Sequence, residues 1–281
     1  MPKQEVQVLG LCRWSYPSEP SAFRLEATST QEVRAKLYDP ARLDLRLFFL
    51  QHVVLPGLDL QTDRNFTLIL LMGDQLPEPW RSRVLELVAD IPQIKPVFEP
   101  EGQIHREVCN RVMREHRDTS AKVVAEFRLD DDDAVACEFV ALTRAEFAKM
   151  RPLFFDVPRL ALDFARGYVL DATAQGVEVQ PIVVRGWTPG LVLYTRPQNQ
   201  TSLLDFPHLD TWKRMDTMTW QRVPMFVRGA HSDNDSALSQ RIPVGDDFDP
   251  EQAEVELEVR FGIDLRRLRA AWSALQGGDT G

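Results

Sequence analysis

Asp130 to Asp133 are four consecutive aspartates, and they follow directly on the run Val123-Val124-Ala125-Glu126-Phe127-Arg128-Leu129. That run is apolar and β-branched at its start and alternates loosely towards its end, so it reads as a short strand. Four like charges at one strand tip repel each other and resist burial unless a cation offsets them. A hard divalent ion, Mg²⁺ or Mn²⁺, suits that position because it prefers carboxylate oxygens and leaves coordination sites open to substrate phosphates. An α/β sheet also presents its ligand site beyond the carboxyl ends of its strands. A solvated acidic turn is the alternative. It fits less well here, because the run leads straight into the apolar Ala134-Val135-Ala136-Cys137.

The rest of the chain frames a sheet around that strand. Val6 to Trp14, Phe66 to Met72 and Ile94 to Phe98 read as strands, and the second is the continuous apolar kind that lies buried on both faces of a parallel sheet. Leu43 to Leu60, Trp80 to Ala89 and His105 to His116 read as helices, the first ending near Pro56-Gly57. Strand and helix alternate about four times before Asp130, the pattern of a Rossmann-like, mostly parallel sheet flanked by helices. Thr143 to Phe154 reads as a further helix. Arg159 to Leu170, Val177 to Arg185 and Gly190 to Thr195 read as a mixed or antiparallel C-terminal part. From Glu251 the chain alternates (Val255, Leu257, Val259, Phe261) and finishes as a basic helix carrying Leu265, Leu268 and Trp272. The expected organisation is one domain over 1–275, with a nucleotide-binding half to about 135, an acceptor-side half beyond it and a disordered tail at 276–281.

Composition narrows the function. With 33 Lys and Arg against 42 Asp and Glu, the net charge of -9 argues against nucleic acid or an anionic membrane as the main partner. The three cysteines, Cys12, Cys109 and Cys137, are too far apart for a CxxC zinc site or a disulfide framework. The start, Met1-Pro2-Lys3-Gln4-Glu5, lacks the charged and apolar regions of a signal peptide, and no apolar run approaches a membrane span. The expected location is cytoplasmic, with no integral membrane segment.

Several short motifs together carry a family resemblance. Leu55-Pro56-Gly57-Leu58 followed by Gln61-Thr62-Asp63-Arg64-Asn65-Phe66 resembles the second βα element of GT-A-type glycosyltransferases, where a helix ends in a Gln-Thr turn before a strand that begins with Phe. Arg128 to Asp133 stands where those enzymes carry a DxD motif. With Arg13-Trp14-Ser15-Tyr16 near the start and His231-Ser232-Asp233-Asn234-Asp235-Ser236 late in the chain, the pattern resembles the bacterial rhamnosyl transferase family from about Val6 to about Leu265.

The resemblance implies transfer of a sugar, rhamnose by the family's name, from a nucleoside-diphosphate donor to a glycan or other hydroxyl acceptor, in surface polysaccharide or glycoconjugate synthesis. It implies Mn²⁺ or Mg²⁺ bridging the donor phosphates. Mapped onto this sequence, Asp130 contacts ribose or metal, Asp132 ligates the metal, and Asp133 is a further ligand. Asp131 stays open, as a nucleotide contact or as a carboxylate paired with Arg128 or a Lys. His231, with Asn234 and Asp235 beside it, is a metal or diphosphate ligand. Arg13, Ser15 and Asp74 are expected to meet the nucleotide, although Asp74 also reads as a turn residue in Gly73-Asp74-Gln75. For the catalytic base the candidates are Asp156, Asp163, Asp205 and Asp210, and Asp205 and Asp210 are preferred because they lie in the aromatic-rich stretch around Phe206 to Trp212, a candidate acceptor wall.

Two other classes compete. A nucleotidyl- or phosphotransferase would use the aspartates in a two-metal site, yet no P-loop occurs. The other is a non-catalytic Ca²⁺-binding or scaffold domain, of which the EF-hand case fails, because the sixth and twelfth positions counted from Asp130 are Val135 and Ala141.

Overall fold

The computed structural model describes residues 5–22, 27–231 and 249–277. Its first half contains β1 (Val6–Arg13), α1 (Thr30–Leu37), α2 (Pro40–Phe49), a π-helical turn (Leu50–Val54), α3 (Leu55–Asp59), β2 (Thr67–Gly73), α4 (Trp80–Val88), β3 (Ile94–Glu99), α5 (His105–Glu115) and β4 (Val123–Leu129). The second half contains β5 (Ala134–Val135), α6 (Phe139–Asp156), β6 (Arg159–Phe164), β7 (Arg166–Thr173), β8 (Gly176–Val183), β9 (Leu191–Thr195), β10 (Thr217–Trp220), β11 (Phe226–His231), α7 (Pro250–Phe261) and α8 (Leu265–Gly277).

A seven-stranded sheet in the order β10-β6-β9-β4-β1-β2-β3 forms the centre. β3, β2, β1 and β4 are mutually parallel, so their carboxyl ends share one edge. β9 enters antiparallel between β4 and β6. Alternating residues of the central strands serve two cores. Leu9 and Leu11 of β1 and Val124 of β4 pack with Val108, Val112 and Met113 of α5. Val8 and Cys12 of β1 with Phe127 and Leu129 of β4 join the opposite, larger core, which includes Phe49 and Phe139. This two-sided burial explains the continuous apolar run of β2. A four-stranded sheet, β5-β11-β7-β8, stands beside the first.

The aspartate run joins the two sheets, since β4 belongs to the first and β5 to the second. Asp130 therefore sits at the carboxyl edge, where the strand pattern places it.

Three expectations change. The alternation at Val255 to Phe261 is helical in α7: Ala253, Leu257 and Phe261 are buried four residues apart, while Val255 and Val259 are 59% and 69% exposed. Asp249 caps that helix, Pro250 opens it and Gly262 closes it in the left-handed region. The extended stretch from Arg159 to Leu170 breaks at Ala165, giving β6 to one sheet and β7 to the other. β6 pairs antiparallel with β9 and β7 with β8, as expected, while β10 and β11 add to β6 and β7 in parallel. Gln276 and Gly277 belong to α8, so of the expected tail only 278–281 lie outside the described residues. No described helix is long and apolar enough to cross a membrane.

Candidate functional site

The chain itself supplies cations and hydrogen-bond donors for the aspartate run. Asp131, Asp132 and Asp133 are 7%, 4% and 1% exposed, a degree of burial that isolated carboxylates would not tolerate. From α2, Arg46 Nη1 lies 2.7 Å from Asp131 Oδ1 and 3.5 Å from Asp132 Oδ2. From the end of β11, His231 Nε2 lies 3.0 Å from Asp132 Oδ2, and its ring stacks on Phe49 at 4.7 Å. One helical end thus holds both partners of Asp132, since Arg46 and Phe49 are three residues apart on α2. Asp133 Oδ1 accepts the Gly229 N–H at 3.1 Å. Gly229 has to be glycine for this approach, because a Cβ there would lie 2.4 Å from the Asp132 carbonyl oxygen. Asp130 differs from the other three: its side chain is 40% exposed and its Oδ1 lies 3.7 Å from Arg128 Nη2.

Burial pushes the Asp131 carboxyl above the usual carboxylate range against the pull of Arg46. Burial also opposes ionisation of Asp132, but the His231 hydrogen bond and Arg46 outweigh it, so Asp132 is held below its ordinary value. Asp133 is driven well above its ordinary value, first by burial and then by the charge of Asp132. The environment thus splits the three buried carboxyls: Asp132 is held ionised, while Asp131 and Asp133 hold protons more readily.

Among the described residues, no three His, Cys, Asp or Glu side chains are grouped to hold an ion by themselves. A divalent ion in a nucleotide site needs fewer, because it takes one or two protein ligands and completes its shell with phosphate and water. Asp132 and His231 meet that requirement in kind, and Asp133 Oδ2 is a buried oxygen with no hydrogen-bond partner. The residues fit.

The expected nucleotide contacts lie on the same sheet edge but are not all equivalent. Arg13 ends β1, and its Nη1 is 3.4 Å from His105 Nδ1. Burial, with the charges of Arg13 and Arg128, holds His105 down to about 3, so this ring is neutral at physiological pH. Ser15 is buried at φ 47°, and its Oγ accepts from Arg42 Nη1 at 3.1 Å. Asp74 is exposed in the turn after β2, as the turn reading expects, with its N–H donated to Glu99 O. Asp131 pairs with Arg46, and Arg128 lies instead beside Asp130. His231 is the last residue of β11. Asn234 and Asp235 lie outside the described residues.

Beside the run, on the α5 side, a cavity of about 290 Å³ has Arg106, Arg128, Thr188, Asp205 and His208 as its polar lining, with Leu191 and the segment 203–207 as an apolar wall. Asp205 lines it, but both carboxylate oxygens are engaged. Oδ1 accepts from Asn110 Nδ2 at 2.9 Å, and Oδ2 accepts the Ser202 N–H at 2.9 Å in a capping box. Asp210 is outside the lining, 44% exposed at its side chain and 2.8 Å from Lys213 Nζ, which holds its carboxyl low. Asp156 is exposed at the end of α6, away from these groups. Asp163 is buried and accepts the Gly186 N–H at 3.0 Å, and burial pushes it up to about 6.

His208 was not among the sequence candidates. Its Nδ1–H donates to Gly186 O at 2.6 Å, which leaves Nε2 as the acceptor of a neutral ring. Burial, aided by Arg128, holds its pKa below the ordinary imidazole value. Gly186, at φ 70°, therefore links Asp163 to His208 through its own peptide groups. The wall bearing His208 is fixed from beneath. Arg117 and Glu126 form an ion pair at 2.7 Å with side chains 1% and 0% exposed, Arg117 donates to the carbonyls of Asn199 and Thr201, and Glu126 accepts the Leu203 N–H.

Among solved structures, similarity is at the level of overall shape. Staphylococcus aureus TarS residues 1–349 in complex with UDP-GlcNAc matches with a TM-score of 0.45 and 10% identity, covering 82% of this chain and 60% of that one. The same TarS fragment with UDP matches at 0.41 and 12% identity, over 80% and 60%. The chain thus spans only about three-fifths of the TarS fragment it matches. A structure from Desulfovibrio desulfuricans G20 described as a "putative nucleotide-diphospho-sugar transferase" matches at 0.40 and 10% identity, over 98% of both chains. No curated protein matches the chain. The architecture is a mostly parallel sheet flanked by helices, with an acidic run at the tip of β4. The model of the family described as "Putative rhamnosyl transferase" matches residues 7–242, and this chain belongs to that family.

Proposed function

We propose that this protein is a nucleotide-sugar-dependent glycosyltransferase that moves a sugar, rhamnose by family, from a nucleoside diphosphate to an acceptor hydroxyl. The observation that carries the reading is the convergence of Asp132 and His231 at the carboxyl edge of the parallel sheet. There an ionised carboxylate and an imidazole would hold a divalent ion, with the arginines around them facing the leaving diphosphate.

Asp132 and His231 would hold a divalent ion, Mn²⁺ or Mg²⁺, with Asp133 as a further oxygen donor. When bound, the ion neutralises charge that develops on the leaving diphosphate. Arg46 keeps Asp131 and Asp132 apart in a fixed orientation. Arg13, Ser15, Asp74 and the half-exposed Asp130 line the approach for the nucleotide, and the buried Asp131 acts through Arg46. His208 takes the acceptor proton at Nε2, because its Nδ1–H is anchored on Gly186 and its ring is neutral. That assignment replaces Asp205 and Asp210, whose carboxylates are spent on a cap and on a surface ion pair.

A panel of nucleotide sugars tests the reading. With Mn²⁺ and one donor, the protein should release nucleoside diphosphate and show a raised melting temperature that requires both components. A panel that includes dTDP-, UDP- and GDP-sugars and gives neither release nor a shift would refute it.

A further inference from the structure

The cavity between α5 and the segment 203–207 carries more positive charge than its surroundings explain. Arg106, exposed in the first turn of α5, makes no hydrogen bond or ion pair among the described residues, although it lines the cavity. Arg128 donates from Nη2 to Thr188 Oγ1 at 3.2 Å, but its Nε is buried without a partner. The nearest carboxylate oxygen, Asp130 Oδ1, is 3.7 Å from Arg128 Nη2, beyond hydrogen-bond length. In a chain of net charge -9 two guanidinium groups are thus left with unused donors at one cavity. The Asp205 carboxylate in the same lining is already satisfied by Asn110 and Ser202.

A guanidinium fork matches the planar or tetrahedral oxygens of a carboxylate or phosphate. The opposite wall is apolar, from Leu191, Leu203, Leu204 and Phe206, and suits the face of a sugar ring. At about 290 Å³ the cavity is at the small end of ligand sites and holds one ring better than a nucleotide. Its lining comes mainly from residues 188–208, whereas the expected nucleotide contacts Arg13, Ser15 and Asp74 stand at or after the ends of β1 and β2, and Asp130, 3.7 Å from Arg128, lies between the two regions.

We propose that this cavity takes an acceptor sugar bearing an anionic group, gripped by Arg106 and Arg128, with the ring against the apolar wall. The inference rests on the glycosyltransferase reading for calling the ligand an acceptor, but the binding it describes is measurable without turnover. A carboxylate, as in a uronic acid, and a phosphate ester share the recognition chemistry, and the experiment separates them.

The full chain is titrated, by calorimetry or saturation-transfer NMR, with methyl glucuronide, glucose 6-phosphate and neutral methyl glucoside. UDP with Mn²⁺ is titrated in parallel. The same series is run on Arg106→Gln and Arg128→Gln, with melting curves to verify folding. Arg106 is exposed, so its variant keeps the test valid if Arg128→Gln unfolds. One charged probe should bind about 10-fold more tightly than methyl glucoside, and Arg106→Gln should remove that advantage while leaving UDP affinity within about 2-fold. The tighter of the two charged probes identifies the anion. Equal binding of charged and neutral probes, no binding of either, or a charged-probe affinity unchanged in Arg106→Gln would overturn the proposal. So would loss of UDP affinity in Arg106→Gln, which would assign the cavity to the donor. Failure of the transferase reading would show differently, as absence of nucleotide binding in the unaltered protein.

Discussion

His231 Nε2 lies 3.0 Å from Asp132 Oδ2 across 99 residues of chain, and both side chains are almost wholly buried. Facing an ionised carboxylate, Nε2 carries the hydrogen and donates it, and a divalent ion held between the pair would take the place of that hydrogen. This pair joins the two sheets at the point where the parallel strands end. Asp132→Asn and His231→Ala should each lower kcat by about 100-fold or more, because both act where charge grows on the leaving group. His231→Ala should lower kcat more than it weakens nucleotide affinity, as steady-state kinetics set beside calorimetry will read. A variant that only raises KM would show the pair to be a binding contact.

The pH profile should report His208. Burial holds its pKa below the ordinary imidazole value, so the ring stays neutral and able to accept a proton throughout the neutral range. We expect kcat/KM to be flat from about pH 7 upwards and to fall only below the ordinary imidazole range near 6.5. His208→Ala should remove that acidic limb along with most of the activity. An unchanged limb in the variant would assign it to another group.

Asp163 makes a stability prediction of definite sign. Burial raises its folded pKa from 3.8 to about 6, so its protonated form is favoured in the native state. The favourable contribution is complete below the unfolded carboxylate range and is lost as pH rises through about 6. Asp163→Asn should therefore stabilise the protein at pH 7.5 by about 1–3 kcal/mol and have little effect near pH 4. Melting curves at the two pH values check this, and a variant destabilised at pH 7.5 would contradict it.

Removing one partner of the buried Arg117–Glu126 pair leaves the other charge buried alone. Glu126→Gln or Arg117→Ala should cost about 3–5 kcal/mol in denaturant unfolding. Hydrogen exchange should also quicken at Leu203, whose N–H is held by Glu126. A loss no larger than that of an exposed ion pair would show that the segment is held by packing alone.

The parts of this site that were legible in the sequence are those whose chemistry is written locally. The aspartate run ends a strand whose apolar pattern is unambiguous, and a late His in a polar segment is a recognisable ligand type. Arg46 was not legible, because an arginine on an amphipathic helix reads as solvated surface until the helix is laid against the sheet. The hydrogen bonds of Asp205 were hidden for a related reason: a carboxylate beside aromatics looks reactive, whereas three residues after Ser202 it closes a capping box. The α7 alternation misled because valines at 255 and 259 share no face with Leu257 in a helix yet share one in a strand. His208 stood within the stretch chosen for the acceptor wall, but its tautomer depends on a carbonyl 22 residues away.

The central claim is that the Asp132–His231 edge binds a nucleoside diphosphate together with a divalent ion. Calorimetric titration of UDP, GDP and dTDP, with and without Mn²⁺, into the unaltered protein and Asp132→Ala measures this directly. The account predicts that at least one nucleotide binds the unaltered protein, that Mn²⁺ tightens it about 10-fold or more, and that Asp132→Ala abolishes the Mn²⁺ effect. Equal, metal-dependent nucleotide affinity in the unaltered protein and in Asp132→Ala would contradict it.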